Sequence, residues 1–375
     1  MSLSDRQTLI LSASDIEAIV KEVGMDELMD QLIANMTETF NDFDPEKTII
    51  PTRSGFNYTE PELGLIEWMP LHDHGEKMVV KMVGYHPNNP ENYNLPTIVS
   101  TISNYDTKTG HLKSLVDGVF LTALRTGSAS AVASQLLANP QSETLGLIGC
   151  GAQSITQLHA LSRLFPLKKV IFYDIDEGTS KSFTDRVAIL ELPVQYEFRT
   201  IAQIVEEADI ICTATSIDIG EGPLFANSPS KSHLHINAIG SDFPGKTELP
   251  IDLLKDSFVC PDFLAQAVKE GECQQLKPED IGDDLFYCMK NSEQYQHLQN
   301  QRTVFDSTGL PLEDVVVMDL FLAYAKKMKL GQLIEIETMS EDAKNPYHFI
   351  KKERTIDIKQ PLKIRQLDYL DTIKK

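Results

Sequence analysis

The sequence predicts an α/β protein with two kinds of sheet. One is a Rossmann-type doubly wound parallel sheet over residues 126–315; the other is a largely antiparallel sheet in an α+β part built from residues 1–125 and 316–375. Three observations predict this. From about residue 126 to 315, short apolar runs alternate with helical patterns, which gives parallel strand–helix–strand units covered on both faces. A glycine loop, Gly149-x-Gly151-x-x-Ser154, lies directly after one such strand and before one such helix. Before residue 125, strand-like runs follow one another with turn residues between them, the mark of antiparallel pairing. At about 150 residues per domain the chain is long enough for two domains, possibly three.

The first predicted strand is Thr8–Leu11, followed by a helix that opens on Ser14 and Glu17 in capping-box spacing. Leu63–Met69, Met78–Tyr85 and Thr97–Ser103 read as strands, and Asn104–His111 as a hairpin loop in which Gly110 supplies positive φ. In the second region the predicted strands are Thr144–Gly149, Lys169–Asp174, Val194–Phe198, Asp209–Thr213, Leu234–Ile239 and Ser257–Cys260. Ala152–Phe165, Glu177–Leu190 and Ile201–Ala208 have helical spacing, and Leu312–Leu330 has that of an amphipathic helix. From Lys351 the last 25 residues carry eight Lys/Arg and four Asp/Glu, a basic tail expected to lie on the acidic body or fray. No internal repeat is visible.

Lys and Arg number 34 against 55 Asp and Glu, a formal charge of −21, which argues against a nucleic-acid binder. Hydrophobic residues make up 42% and charged residues 24%, as in globular proteins. No run approaches the ~20 apolar residues of a membrane helix, and the N-terminus lacks a signal-peptide core. The five cysteines are odd in number and form no CxxC pair, so a reduced, cytoplasmic protein is expected. His72 and His74 have H-x-H spacing without a third ligand, so no metal site is expected.

The glycine loop carries the first chemistry. Gly149 permits a tight turn, Gly151 lets the backbone approach a pyrophosphate, and Ala152 and Gln153 open a helix whose free N–H groups favour an anion. Asp174, 25 residues past Gly149 at the end of the next strand, can accept both ribose hydroxyls and would repel a 2′-phosphate, which favours NAD over NADP. Asp176 is the nearby alternative. Thr213, Ala214, Thr215 and Ser216 are small and polar after the fourth strand, where a dinucleotide crosses a sheet edge.

Seven phrases in order carry a resemblance over roughly Thr48 to Ala325: GLIEWMP, VVKMVGYHPNNP, DGVFLTALRTGSASA, GLIGCGAQSITQLHAL, GSDFPGKTEL, EGECQQL and VFDSTGLPLED. The sequence resembles the ornithine cyclodeaminase/mu-crystallin family, and GSDFPGKTEL and EGECQQL point to its cyclodeaminase branch. The resemblance implies a Rossmann domain inserted in a substrate and dimerisation domain, NAD as bound cofactor, and a homodimer or a multiple of dimers. The implied reaction converts L-ornithine to L-proline and ammonia: Cα hydride transfer to NAD, cyclisation with loss of ammonia, then re-reduction. Carried over position by position, it implies Glu67 as the substrate-contacting Glu, Lys81, Arg125 and Arg53 as cations for the substrate carboxylate, Asp242 as the catalytic Asp, and Thr126 as a cofactor-phosphate contact.

The residue types suit that chemistry. Arg offers a planar bidentate fork to a carboxylate and Lys a point charge, and fixing the reactants in attack geometry is a large part of such catalysis. Both amines must shed protons, so a general base is needed. Asp242 follows the strand-end Gly240, at the carboxyl edge of the sheet, and the adjacent Phe243 and Pro244 are expected to raise its pKa by desolvation. Glu67 would orient the side-chain ammonium. Phe243 and Ser241 depart from the small residue and Gly usual in the family beside that base, which leaves lysine or another imino acid open as substrate. The same fold also carries amino-acid dehydrogenases, ketimine reductases and non-catalytic binding proteins.

Overall fold

Apolar residues at helical spacing fix the N-terminal layer of the computed structural model, which describes residues 6–348. After β1 (Thr8–Leu11) come α1 (Ala13–Val23), which buries Ile16 and Ile19, and α2 (Met25–Asp42), which buries Leu28, Met29, Leu32, Ile33, Met36 and Phe40 along one stripe. The cap of α1 is Ser12, whose N–H is accepted by Asp15 at 2.9 Å. This corrects the expected Ser14/Glu17 start by two residues: Ser12 is still extended while Ala13 already turns.

The next strands are β2 (Thr48–Ile49), β3 (Ser54–Tyr58), β4 (Gly64–Asp73) and β5 (Lys77–Tyr85). A short helix, α3 (Asn89–Tyr93), leads to β6 (Ile98–Asp106) and β7 (Leu112–Asp117). The β6–β7 turn is tied by Asp106, whose carboxylate accepts from Lys108 N at 2.7 Å and Thr109 N at 3.1 Å, and Gly110 has the expected positive φ of 77°. Then α4 (Val119–Leu137) runs straight through the boundary expected at residue 125/126. Its run of small buried residues lets α5 approach: a Cβ on Gly127 would lie 2.5 Å from Thr156 O.

The parallel part follows as β8 (Thr144–Ile148), α5 (Ala152–Ser162), β9 (Lys169–Tyr173), α6 (Glu177–Val187), β10 (Gln195–Phe198), α7 (Ile201–Glu207), β11 (Ile210–Thr213) and β12 (His235–Ala238). It continues through α8 (Ile251–Lys255), β13 (Phe258–Pro261), α9 (Leu264–Glu270), α10 (Leu285–Lys290), α11 (Ser292–Tyr295) and β14 (Thr303–Asp306). Last come α12 (Pro311–Met328) and β15 (Gln332–Ile334). The spacing of α12 predicted one apolar face, but its first half is buried almost all round, because it is packed against α2, α4 and the sheet.

The two sheets are those expected. One has the order β10-β9-β8-β11-β12-β14-β13 and is parallel throughout, with the reversal of strand order between β8 and β11. The other runs β15-β1-β7-β6-β5-β4-β2, with β3 also on β4, and is antiparallel except for the β1–β7 pair. Alternate residues of the parallel strands enter two cores, Ile148, Ile211, Ile236 and Val304 on one face and Leu147, Val170 and Cys212 on the other. A third core joins α1, α2, α4 and α12 to the inner face of the mixed sheet through Leu11, Val79, Ile102, Val116 and Phe321.

Residues Gln7–Ile334 form one compact unit. The described stretch 335–348, outside that unit, holds turns and bends; the basic tail from Lys351 lies outside the described residues. The five cysteines are buried and free. Among the described residues no helix is long and apolar enough to cross a membrane, and no group of side chains could hold a metal ion.

Candidate active site

Strand alternation turns polar side chains into the molecule at one end of the mixed sheet. On β5 the inward residues are Val79, Lys81, Val83 and Tyr85; opposite them on β4 stand Leu71, Met69, Glu67 and Leu65. Val79 and Leu71 close the core. Lys81, Glu67 and Tyr85, further along, line a cavity of about 1690 Å³ that opens toward the carboxyl ends of the parallel strands. The same cavity is lined by Arg53, Arg125 and Thr126, by Gly151, Ala152 and Gln153, by Thr215 and Ser216, by Asp242, and by Ser307–Gly309. Residues read separately from seven stretches of sequence are therefore brought to one wall.

The dinucleotide end has the expected backbone. Gly149 has φ of 91°, and a Cβ there would lie 2.5 Å from Ala214 O; around Gly151 there is nothing within 4 Å of a Cβ, so the chain is open to a ligand. Gly151 caps α5 without a side-chain bond, leaving the first N–H groups of that helix free. Ser154, at the third motif position, is buried and donates to Gly149 O, so it ties the loop. Thr126 donates to Thr122 O at 2.9 Å within α4. These features fit a dinucleotide pyrophosphate.

Three expected cofactor residues are not on the wall. Gly149 and Thr213 lie behind it. Asp174 sits at the back of the loop, where Oδ2 accepts from Cys150 N at 2.7 Å and Oδ1 from Asp176 N at 2.9 Å. Thr179, Ser182 and Arg186 of α6 line the cavity instead. Asp176 caps α6, accepting from Thr179 N at 2.6 Å.

The three cations are held differently. Lys81 is buried, and its Nζ donates to Asp314 Oδ1 at 2.9 Å. Burial, with Arg125 nearby, pulls the Lys81 ammonium down to about 8, against the attraction of Asp314. Arg125 donates from Nη1 to Glu313 Oε2 at 2.5 Å, and its Nε lies 3.3 Å from Asp314 Oδ1. Arg53 donates from Nη2 to Thr308 O at 2.6 Å, pairs with Glu270 through Nε, and has Nη1 3.8 Å from Glu67. Burial raises the Glu67 carboxyl above its ordinary value; Arg53 pulls it down and Asp242 adds to the rise.

Asp242, for which desolvation by Phe243 and Pro244 was expected, stands partly open on the cavity wall. Its side chain is 35% exposed, and Oδ1 accepts from Lys246 Nζ at 3.0 Å. Lys246 stands over the Tyr85 ring, 5.4 Å from its centre. The turn that carries both is pinned from the EGECQQL segment: Gln274 accepts from Gly245 N at 2.7 Å and donates to Lys246 O at 3.0 Å. Ser241 donates to Lys246 O at 2.6 Å. Glu248 bridges the strand ends, accepting from Thr215 N at 2.8 Å and Gly240 N at 3.0 Å. Lys246, Tyr85, Glu313 and Asp314 are site residues that motif reading did not single out, although Lys246 lies inside GSDFPGKTEL and Glu313-Asp314 inside VFDSTGLPLED. His72 and His74 have ring centres 4.7 Å apart with planes tilted by 44°, away from the cavity wall.

Fold and cavity together define a doubly wound α/β protein of the dinucleotide-binding class, with a pocket of paired charges set against its crevice. Residues 14–327 match the sequence profile of the ornithine cyclodeaminase/mu-crystallin family, and the chain belongs to that family. An L-lysine cyclodeaminase of Streptomyces rapamycinicus is 42% identical over 342 residues, covering 91% of this chain and 99% of the relative. A solved lysine cyclodeaminase, described for recognition of L-lysine, L-ornithine and L-2,4-diaminobutyric acid, superposes with a TM-score of 0.88 at 45% identity, covering 91% of this chain and 99% of its own. An archaeal alanine dehydrogenase dimer with bound NAD gives a TM-score of 0.78 at 28% identity, over 88% of this chain and all of that one.

Proposed function

We propose that the protein is an NAD-dependent cyclodeaminase of α,ω-diamino acids, converting L-lysine to L-pipecolate, or L-ornithine to L-proline, with release of ammonia. The observation that carries this reading is one cavity that joins the open glycine loop to the buried cations Lys81 and Arg125, the partly buried Arg53, and the carboxylates Glu67 and Asp242. Ornithine is the substrate implied by the sequence. Similarity to the Streptomyces lysine cyclodeaminase puts lysine ahead of it.

The chemistry NAD supplies when bound is reversible hydride transfer at the substrate Cα. Residues 126–315 would hold it, with the pyrophosphate at Gly151, Ala152 and Gln153 over the turn that Gly149 makes, a phosphate at Thr126, and the crossing at Thr215 and Ser216, which Thr213 backs from behind the wall. Asp174 is our ribose acceptor: each of its oxygens takes one N–H and keeps a second lone pair. Lys81, Arg125 and Arg53 grip the α-carboxylate and turn the Cα–H toward the crevice. Glu67 holds the terminal ammonium. Asp242 takes the proton that the terminal amine must lose before it attacks Cα, and Lys246 holds Asp242 in place. The resemblance and the solved dimer support a homodimer, which we assign to the outward face of the mixed sheet, where Phe56, Ile66, Met82 and Val99 are exposed.

A dehydrogenase or imine reductase on the same fold is the second reading, favoured by the likeness to the alanine dehydrogenase. Incubation with lysine, ornithine or arginine and trace NAD separates the two. The proposed enzyme gives cyclic imino acid and ammonia in amounts far above the NAD added, without NADH accumulating. NADH formed in step with amino acid consumed would assign the dehydrogenase.

A further inference from the structure

The first turn of α12 places Glu313 and Asp314, both fully buried, directly behind the cations of the pocket. Asp314 Oδ1 takes Lys81 and faces Arg125; Glu313 Oε2 takes Arg125 alone. The remaining oxygens, Glu313 Oε1 and Asp314 Oδ2, have no hydrogen-bond partner. From the loop after β13, Asp262 also faces this cluster; burial and Asp306 push it up to about 7, against three donors that favour its anion: Phe263 N at 2.6 Å, Gly309 N at 2.7 Å and the Thr308 hydroxyl at 3.1 Å. From the loop before β3, Arg53 adds a cation, itself answered by Glu67 of β4 and Glu270 of α9. The cations Arg53, Lys81 and Arg125 thus already face more carboxylates than there are cations.

A ligand carboxylate entering between Lys81 and Arg125 brings one more anion to a site with little water, where like charges close together disfavour ionisation. The neighbour that yields most easily is the one with the fewest partners. Asp314 and Glu313 each have one bare oxygen, but Asp314 has two cations and Asp262 three donors, whereas Glu313 has one cation alone. We propose that Glu313 takes up a proton from solvent when a carboxylate ligand binds at Lys81 and Arg125, so that the pocket exchanges one buried anion for another. Burial already pushes the Glu313 carboxyl up to about 7, with Arg125 opposing and Asp262 and Asp314 adding to the rise. The inference rests on reading Lys81 and Arg125 as the carboxylate grip.

The test is isothermal titration calorimetry of the NAD-loaded protein with sodium pentanoate, a carboxylate without an amine, at pH 7.5 in phosphate and in Tris. The difference in heat between the buffers counts the protons exchanged. The wild type should take up roughly half a proton or more, and Glu313→Gln less than about a quarter, the remainder belonging to Lys81. The variant should also bind pentanoate about threefold to tenfold more tightly, because a competing anion is gone while the amide keeps an acceptor for Arg125. A residue that merely props Arg125 would give weaker binding in the variant and no change in proton count, and that result overturns the proposal. So does pentanoate binding to the wild type without proton uptake, whatever the variant does. Absence of binding to either protein overturns the carboxylate grip itself.

Discussion

At the scale of single residues, the site works through pairs. Asp242 lines the cavity and is tied at one oxygen to Lys246. Asp242→Asn keeps the shape and removes the proposed base. Turnover, followed as ammonia released, should fall by about 10²–10⁴-fold, while NAD affinity measured by fluorescence titration stays within about twofold of wild type, since no dinucleotide contact is lost. Unchanged turnover would remove Asp242 from the mechanism. Glu313 gives a second prediction. Its folded-state pKa of about 7 lies above the ordinary 4.5, so its contribution to stability is present at low pH and is lost as pH rises through 7. The stability of Glu313→Gln relative to wild type should therefore improve from about pH 5 to about pH 7 and level off above, read as the difference in thermal midpoints; a difference that is flat from pH 5 to pH 7 contradicts the assignment. Lys81 and Arg125 could be singled out because each stands in a phrase that carries the family resemblance, Lys81 inside the apolar run VVKMV above all, whereas Arg53 stands in a stretch that matches less well. The anionic partners of Lys81 and Arg125 could not, since Glu313 and Asp314 meet them only through the packing of α12, and a helix pattern gives no hint of which acidic residues turn inward.

At the scale of elements, the glycine loop is the feature whose sequence and geometry agree most closely. Gly149→Ala would place a methyl group at positive φ and 2.5 Å from Ala214 O. A cost of about 1–3 kcal/mol is expected, seen as a lower urea midpoint, with a dinucleotide affinity at least about tenfold weaker. Normal affinity would show that the loop adapts. Most strands of the parallel sheet were readable as apolar runs bounded by turns. β14 was not, because its core is only Val304 and Phe305, between polar residues on the N-terminal side and Asp306-Ser307-Thr308-Gly309 on the other. α4 also escaped notice: its Gly127-to-Ala131 stretch is too poor in large apolar residues to show a helical stripe, yet that smallness is what allows α5 to pack on it. Asp174 was read correctly as a strand-end carboxylate, but its bond to Cys150 N depends on the folded loop and could not be read from spacing.

At the scale of the whole molecule, the outward face of the mixed sheet should separate copies of the chain when it is charged. Met82 lies opposite Trp68 and beside the ladder that carries Ile66 and Val99, and the face is apolar over β3, β4 and β5 through Phe56, Ile66, Trp68 and Met82 before it turns polar at Thr101 on β6. Met82→Glu should shift sedimentation from dimer to monomer at micromolar concentration while far-UV circular dichroism is unchanged; a dimer that persists would move the interface elsewhere. The mixed sheet has one more property. Its edge pair joins the two ends of the compact unit: Leu9 lies beside Ser114 and Thr8 beside Ile334. On a ribosome, β1 emerges first, must wait for more than a hundred residues to reach its inner neighbour, and finds its outer neighbour only when nearly all of the unit has been made. The parallel sheet, threaded between those two events, therefore has time to close on itself while the outer edge of the first strand still lacks its neighbour.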